Sequence, residues 1–526
     1  MLDLIELAGA GGDTVLHVPC SLLESDDLNF ERRGALNERR MDGPGISGAG
    51  AQVTNRVAGG GLTPLHLGES FIRPVLILEE TADRRFRLRV ACVEAEHLGG
   101  VCLNIGCIPT KALLTSAFLV NEMRDGEKHG IIAKEVAFDL GPAQARSRRV
   151  ADQMRKGVGH LFKKNKITHL EGFGRLKGKG KVEVEAAGGN KSVYDASHVI
   201  IATGSRPRDL PTLKIDEDRI WSSTGALMQD KAPKSLFIVG AGAIGMEFAD
   251  VYGSFGTQVT IVEALDRILP LEDAEISKFM ERTYAKRGME IHTGARFENA
   301  KVGKSGVKVT FTDRQGASHS KDVDYVLSAV GRVPNSSDLG LESVGVKVSE
   351  RGFIVVDEVM RTNVSGVYAI GDVAGNQLLA HKASHEGIVC VEHIAGKGHG
   401  TVDYGNVPNC TYCSPEVASV GLTEEQAKAK GYDVEVGKFP WVGVGRAVAA
   451  GHTDGFVKII RDKQYSEILG AHIVGPHATE LIAEFVLGRH LESTVEEMER
   501  AMHPHPTLSE GVSEAALAAL GRPIHI

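Results

Sequence analysis

Cys102 and Cys107 stand five residues apart in EAEHLGGVCLNIGCIPTKALL, residues 94–114. On a regular helix that spacing advances about 7.5 Å along the axis. A disulfide wants its Cα atoms about 4.4–6.8 Å apart. A bridge between the two therefore needs a distorted turn, and Gly106 and Pro109 supply the freedom and the break. A bridge made that way is easily reduced, which suits redox work better than stapling. A helix starting here would favour a thiolate through its N-terminal dipole. Spacing alone leaves two unrelated buried thiols as an equal alternative.

A second constellation is GAGAIG, residues 240–245, after the apolar run SLFIV. Gly240 would make a tight turn and Gly242 would let the backbone approach a diphosphate. Gly245 would let a helix beginning at Met246 pack on the strand. With Ala243 and Ile244 between them, these residues aim a helix N-terminus at phosphates. Glu263 ends the following strand, where a carboxylate can bond a ribose 2′-OH and repel a 2′-phosphate. Strand, glycine turn, helix, strand and acid in that order point to NAD rather than NADP.

These residues need elements to hold them. RLRVACVE (87–94) alternates like a buried strand ending on an acid, and 142–168 look like a long polar helix. KVEVEA and its neighbours suggest a small meander. SHVIIATGS (197–205), VDYVLSAVGRVPN (323–335) and GVYAIGDVAG (366–375) read as strands running into glycine turns. Strands alternating with helices argue for an α/β chain with doubly wound sheets. Two acid-ended strands imply two nucleotide units. From about residue 404 the texture changes to mixed strands and helices.

Composition limits the alternatives. With 526 residues, 42% hydrophobic and 24% charged, the chain can bury several cores. A net charge of -8 and no Lys/Arg tract give no sign of a nucleic-acid partner. No uninterrupted apolar run reaches bilayer length, and MLDLIELAGAGGD lacks a basic n-region. Seven cysteines do not make a disulfide scaffold. A cytoplasmic enzyme with one working cysteine pair fits better, without membrane or metal. The CxxC of Cys410 and Cys413 reads as incidental, since zinc would need further ligands.

GGVCLNIGCIPTK closely resembles the active-site segment of the pyridine nucleotide–disulfide oxidoreductases, most of all their dihydrolipoamide-oxidising branch. The resemblance runs from about residue 87 to the C-terminus. It implies two doubly wound dinucleotide-binding domains plus a C-terminal α+β dimerisation domain. Residues 87–208 would start the FAD-binding domain, 209–330 would be the NAD-binding domain, 331–403 would return to the flavin, and 404–526 would form the dimer interface. Cys102 would exchange with substrate, and Cys107 would face the flavin as a thiolate. Lys111 would lie beside the flavin ring, paired with Glu247.

By the same resemblance Glu94 would bind the adenosine ribose of FAD. Gly99, Gly100, Gly174, Thr203, Gly204 and Ser205 would line the flavin, as would Asp372, Leu378, Leu379, Ala380 and His381. Gly331 and Phe297 would contact NAD. His505 and Glu510 in HPHPTLSE (503–510) match the family's base and its orienting carboxylate, reaching the cysteine pair of the other subunit. His503, in the same proline-rich turn, is expected to be only solvated. The partners the resemblance implies are dihydrolipoamide on a lipoyl carrier domain, a second copy of the chain, and a 2-oxoacid dehydrogenase complex.

One piece is missing. The offset from Gly240 to Glu263, applied before Glu94, lands on Phe71, and ESFIRPVLILEETADRRFRLRV holds no glycine loop. Residues 1–86 thus read as an atypical segment lacking the FAD glycine loop. A flavin-deficient scaffold subunit stays open as a rival. Glutathione-reductase-like chemistry is disfavoured by Glu263, and mercuric-reductase-like chemistry by a tail, GRPIHI, without cysteines.

Overall fold

The apolar runs picked out above become strands, and the glycine turns fall at their carboxyl ends. The structure is a computed structural model that describes residues 75–80, 88–132, 135–398 and 400–525, the first of these by backbone only. The chain begins with β1 (Val75–Glu80), β2 (Leu88–Glu94), α1 (Gly100–Ile105), α2 (Cys107–Arg124) and α3 (Leu140–Lys164). Then come β3 (Thr168–Glu171), the meander β4 (Phe173–Leu176), β5 (Lys181–Glu185) and β6 (Lys191–Asp195), and β7 (His198–Ile201) and β8 (Ser205–Pro207). The long helix starts at Leu140, two residues before the expected 142, because Asp139 caps it by accepting from Gly141 N at 3.0 Å. It ends at Lys164, short of the expected 168, since Thr168 already belongs to β3.

The middle of the chain runs β9 (Ile220–Trp221), α4 (Ser223–Met228), β10 (Ser235–Val239), α5 (Ala243–Ser254), β11 (Gln258–Glu263), α6 (Ala274–Lys286) and β12 (Glu290–Thr293). A three-stranded ribbon follows, β13 (Arg296–Val302), β14 (Val307–Thr312) and β15 (Ser318–Val323), and then β16 (Tyr325–Ser328). The order β12-β11-β10-β16-β9 is parallel at every pairing. Helix α5 opens at Ala243, not Met246. Gly242 is its extended N-cap, and Ala243 and Ile244 already have helical backbone.

The chain then returns through β17 (Arg332–Pro334), α7 (Leu341–Val344), β18 (Val367–Ala369) and α8 (Ala380–Ile394). β17 pairs antiparallel with β8, so a two-stranded ribbon joins the two nucleotide units. The last part is β19 (Asn409–Thr411), β20 (Glu416–Gly421), α9 (Glu424–Ala429), β21 (Val434–Pro440), α10 (Gly445–Ala450), β22 (Phe456–Asp462), β23 (Ile468–Gly475), α11 (Ala478–His490), α12 (Val495–Arg500) and α13 (Glu510–Ala519). Its sheet, β19-β20-β23-β22-β21, is antiparallel throughout and carries its own core around Phe439, Trp441 and Phe485.

The first sheet departs from expectation. Its order is β18-β7-β1-β2-β3, with β18·β7 and β2·β3 parallel. The sequence signals no element before residue 87, yet Val75–Glu80 forms the central strand, antiparallel to both neighbours. VLIL is a strand-forming apolar run. The link 81–87 is too short for a parallel crossover, which takes about a dozen residues or more. The other residues before 88 lie outside the described residues, including the glycine runs at 48–53 and 59–64.

Gly100–Arg124 is long and apolar enough, by length and composition alone, to cross a membrane. Its apolar side is a core face, however. Leu113 and Leu114 are buried in one cluster with Phe248 and Tyr252 of α5, each such leucine contributing about 1.5–3 kcal/mol.

Candidate functional site

Gly106 separates the two cysteines by breaking one helix into two. Its backbone (φ -141°, ψ -116°) ends α1 and caps α2, so Cys102 lies in α1 and Cys107 is the first residue of α2. A Cβ at Gly106 would come within 2.8 Å of Val101 O and 3.1 Å of Cys102 Cα, which a side chain would not tolerate. Pro109 sits in the first turn of α2, where no intrahelical N–H bond is lost. The distorted turn expected from spacing is present. Both cysteines are free thiols, Cys107 exposed and Cys102 half-buried.

The pair is electrically unequal. The Cys102 thiol hydrogen-bonds to Cys107 sulfur, and this, with the Lys111 ammonium, pulls Cys107 down to about 7 against the opposing effect of burial. The shared hydrogen bond and burial push Cys102 up. One thiolate, on Cys107 at the start of an 18-residue helix, is the favoured state at neutral pH.

Lys111, one turn further along α2, donates to both oxygens of Glu247 on α5, at 2.8 and 2.9 Å. Glu247 also accepts from Tyr412 N at 3.0 Å, and Lys111 Nζ stands 4.3 Å from the Tyr412 ring centroid. The expected Lys–Glu pair thus exists, with a third member from the last part of the chain. Asp250, one turn along α5, pairs with Arg287 and accepts from Ser414 N at 2.7 Å. Two carboxylates on one helix face therefore read the backbone of YCS. Tyr412, Asp250 and Arg287 were not singled out from sequence, because neither helical period nor motif links 250 to 414. Burial, with other effects smaller, pushes Cys410 up to about 12 and Cys413 still higher, so neither is a ready thiolate.

The NAD loop has the geometry its residues imply. Gly240 takes φ +100°, and a Cβ there would strike Ala329 O at 2.4 Å. A Cβ at Gly245 would lie 2.0 Å from Gly240 O, so only glycine lets α5 approach the loop this closely. A Cβ at Gly242 would meet nothing within 4 Å, which leaves the loop open toward a diphosphate. Glu263 is buried, with one oxygen on Ala241 N (2.7 Å) and the other on Leu265 N (2.9 Å). This cradle fits an NAD adenosine diphosphate. Gly331 takes φ +106° beside open space. Phe297, half-buried, has its ring 6.4 Å from that of Phe237 and packs against the core beneath the three-stranded ribbon.

On the flavin side the fit is partial. Glu94 ends β2, buried, accepting from Glu96 N at 2.9 Å, and burial pushes its carboxyl up to about 7. Gly99 (φ +93°) and Gly100 (φ +64°) lead into α1. Thr203 donates to Asn335 O at 2.7 Å, Gly204 turns the chain at φ +66°, and Ser205 donates to Asp372. Gly174 is buried in β4. Leu378 and Leu379 lead into α8, where Ala380 is first and His381 Nε2 bonds Pro408 O at 2.9 Å. Arg332, which no sequence motif marks, donates to Ser205 Oγ and O, both at 2.7 Å. These residues fit the ribose and ribityl ends of FAD. Among the described residues none forms a cradle for the FAD diphosphate. Glu80 pairs with Leu88 and Val75 with Val93, so the carboxyl end of β1 lies at the sheet edge opposite Glu94.

His505 Nδ1 lies 2.8 Å from Glu510 Oε1, and Thr507 N donates to the other oxygen at 2.9 Å. The expected dyad is therefore formed, with the imidazole 77% exposed. His503 is corrected. It is not solvated but buried against Glu484 (2.7 Å), which holds its imidazole above the usual range. Helix α13 packs on β21, β22 and α12, while α1 and α2 pack with α3, α4 and α5.

Two family models match the chain: pyridine nucleotide-disulphide oxidoreductase over residues 79–387, and that family's dimerisation domain over 407–516. Dihydrolipoyl dehydrogenase of Zymomonas mobilis is 45% identical over 442 residues, covering 84% of this chain and 95% of that protein. The enzyme of the same name from Bacillus subtilis is 44% identical over 447 residues, covering 83% and 94%. LpdA from Mycobacterium tuberculosis superposes with a TM-score of 0.77 at 30% identity, covering 81% of this chain and 93% of that one. Two nucleotide-binding units, an antiparallel C-terminal sheet and a cysteine pair at a helix start agree with those matches, and the chain belongs to the pyridine nucleotide-disulphide oxidoreductase family.

Proposed function

We propose that the protein is a dihydrolipoyl dehydrogenase, oxidising dihydrolipoamide to lipoamide and reducing NAD, with FAD and NAD as cofactors. The observation that carries this is the Cys102/Cys107 pair with its thiolate-favouring start of α2, joined through Lys111–Glu247 to the helix that opens at the NAD loop. Identity of 45% to a dihydrolipoyl dehydrogenase across most of the chain supports the substrate.

In the oxidised enzyme Cys102 and Cys107 form a disulfide. His505 of the partner subunit, held by Glu510, takes a proton from one thiol of dihydrolipoamide. That sulfur attacks Cys102 Sγ, the Cys102–Cys107 bond breaks, and Cys107 leaves as a thiolate stabilised by Lys111 and the α2 N-terminus. The second substrate thiol passes its proton to Cys102 Sγ as its sulfur attacks the substrate sulfur of the mixed disulfide, so the bond to Cys102 breaks and lipoamide departs. Bound FAD supplies the two-electron relay from the dithiol to NAD. Glu263 would select NAD by accepting from the ribose hydroxyls, and the Gly240 turn and open Gly242 would admit the diphosphate, with Gly245 letting α5 close on the loop.

The matching dimerisation model supports a homodimer. Because His505 faces outward on a different part of the fold from Cys102, each site would be built from two chains. A lipoyl carrier domain as substrate donor, membership of a 2-oxoacid dehydrogenase complex and a cytoplasmic location complete the proposal. The reversed β1 favours one second reading, a flavin-deficient scaffold subunit. The visible spectrum of the purified protein separates the two. A yellow protein that forms NADH from dihydrolipoamide supports the enzyme, and a colourless, folded, inactive dimer supports the scaffold.

A further inference from the structure

Helix α8 buries a lysine and a glutamate that the reaction above does not use. Lys382 and Glu386, one turn apart, have side chains 0% and 1% exposed and pair at 3.0 Å. Two charges withdrawn so completely from water are costly unless every donor and acceptor is matched. Here they are matched mainly by a single turn. Lys382 Nζ donates to Gly371 O at 3.2 Å and to Gly375 O at 2.9 Å. Glu386 Oε2 accepts from Gly371 N at 2.7 Å. The turn so gripped, Gly371–Ala374 with Gly375 after it, carries Asp372. Its two glycines sit at φ +73° and +91°, so the backbone has little intrinsic preference for this shape.

Glu386 has one further partner. Its Oε1 accepts from Tyr404 OH at 2.8 Å, and Tyr404 O accepts from Gln377 Nε2 at 2.9 Å. Tyr404 stands at the start of the C-terminal part of the chain, and Gln377 lies between the turn and α8. The buried pair therefore ties three things together: the Asp372 turn, the helix after it, and the segment that leads into the dimerisation sheet.

We propose that Lys382 and Glu386 are positioning residues for the flavin, setting the Gly371–Gly375 turn so that Asp372 meets the ribityl end of FAD, with Tyr404 as their anchor. This rests on the functional reading above. A neutral, apolar pair of equal volume would fill the same space, but it could not grip two carbonyls and an amide of one turn. Lys382 and Glu386 touch backbone and Tyr404, so their effect on the flavin passes through Asp372.

The test is FAD titration into apoprotein, followed by flavin fluorescence and visible circular dichroism. It compares wild type with K382M/E386Q, which keeps side-chain volumes and leaves no unpaired buried charge. The expected result is FAD binding at least about tenfold weaker, an altered flavin dichroic band, and NADH binding unchanged, since GAGAIG is untouched. Y404F removes one hydrogen bond and no charge. It reads the same property if the double variant does not fold, with an expected weakening of about two- to fivefold. Wild-type flavin uptake with unchanged affinity and dichroism in whichever of these variants folds would overturn the inference alone. A wild-type protein that takes up no FAD would overturn the functional reading and this inference together.

Discussion

At the residue scale the site depends on one sulfur being a thiolate and its neighbour a thiol. Cys107 is pulled below the ordinary thiol range, so its nucleophilic form is present above about pH 7 and is lost as pH falls through that value. Alkylation of Cys107 in the dithiol enzyme by iodoacetamide should rise to a plateau with a midpoint near 7. In K111M, which removes the ammonium, the midpoint should move upward, and an unmoved midpoint would remove Lys111 from the thiolate's support. H505Q should lower dihydrolipoamide turnover by about 10²–10⁴-fold while leaving NADH binding unchanged. Residue type and spacing singled out Cys102, Cys107 and Glu263 in sequence, and the family resemblance added the expected roles of the cysteines, His505 and Glu510. The burial of His503 against Glu484 was not legible there, since nothing local joins residues 484 and 503.

At the element scale the chemistry needs two close approaches that only glycine permits. One is Gly106, where α1 passes into α2, and the other is Gly245, where α5 meets its own loop. G106A should force the turn open, cost about 1–3 kcal/mol, and return Cys107 toward an ordinary thiol pKa by separating it from Cys102. Denaturant unfolding and the alkylation midpoint check the two effects separately. G245A should weaken NADH binding by tenfold or more, with flavin content unchanged. Strands β2, β7, β10 and β11 could be read directly, because apolar runs ended in glycine turns or acids. Helix starts were less legible. Ala243 and Ile244 carry no capping side chain, and the backbone alone decides where α5 begins. The direction of β1 was illegible because strand polarity is set by connection length and pairing, not by the composition of VLILEE.

At the scale of the whole molecule, the proposed mechanism makes the dimer part of the catalyst, since His505 is exposed on a different part of the fold from Cys107. C107S and H505Q should each be nearly inactive alone. After co-refolding, half of the dimers would be mixed, and each mixed dimer would keep one site with both groups intact. Activity should then recover to about a quarter of wild type, whereas no recovery would place both groups in one chain. In the C-terminal part, helix α11 and the loops after it and after α12 leave Leu487, Leu491 and Met502 at 58%, 65% and 97% exposure, apolar surface suited to a subunit contact. The two-unit architecture was legible from its acid-ended strands. The grip of Lys382 and Glu386 on the Asp372 turn was not, because a Lys–Glu pair one turn apart usually signals a solvated helix face.

The most direct measurement is NADH formation from dihydrolipoamide and NAD by the purified protein supplied with FAD, wild type beside C107S. Dihydrolipoamide-dependent NADH formation by wild type and none by C107S, with NADH binding retained in both, is the expected result. Equal NADH formation by C107S, or none by a folded, yellow wild-type dimer, would contradict the assignment of Cys102 and Cys107 as the redox pair of a dihydrolipoyl dehydrogenase.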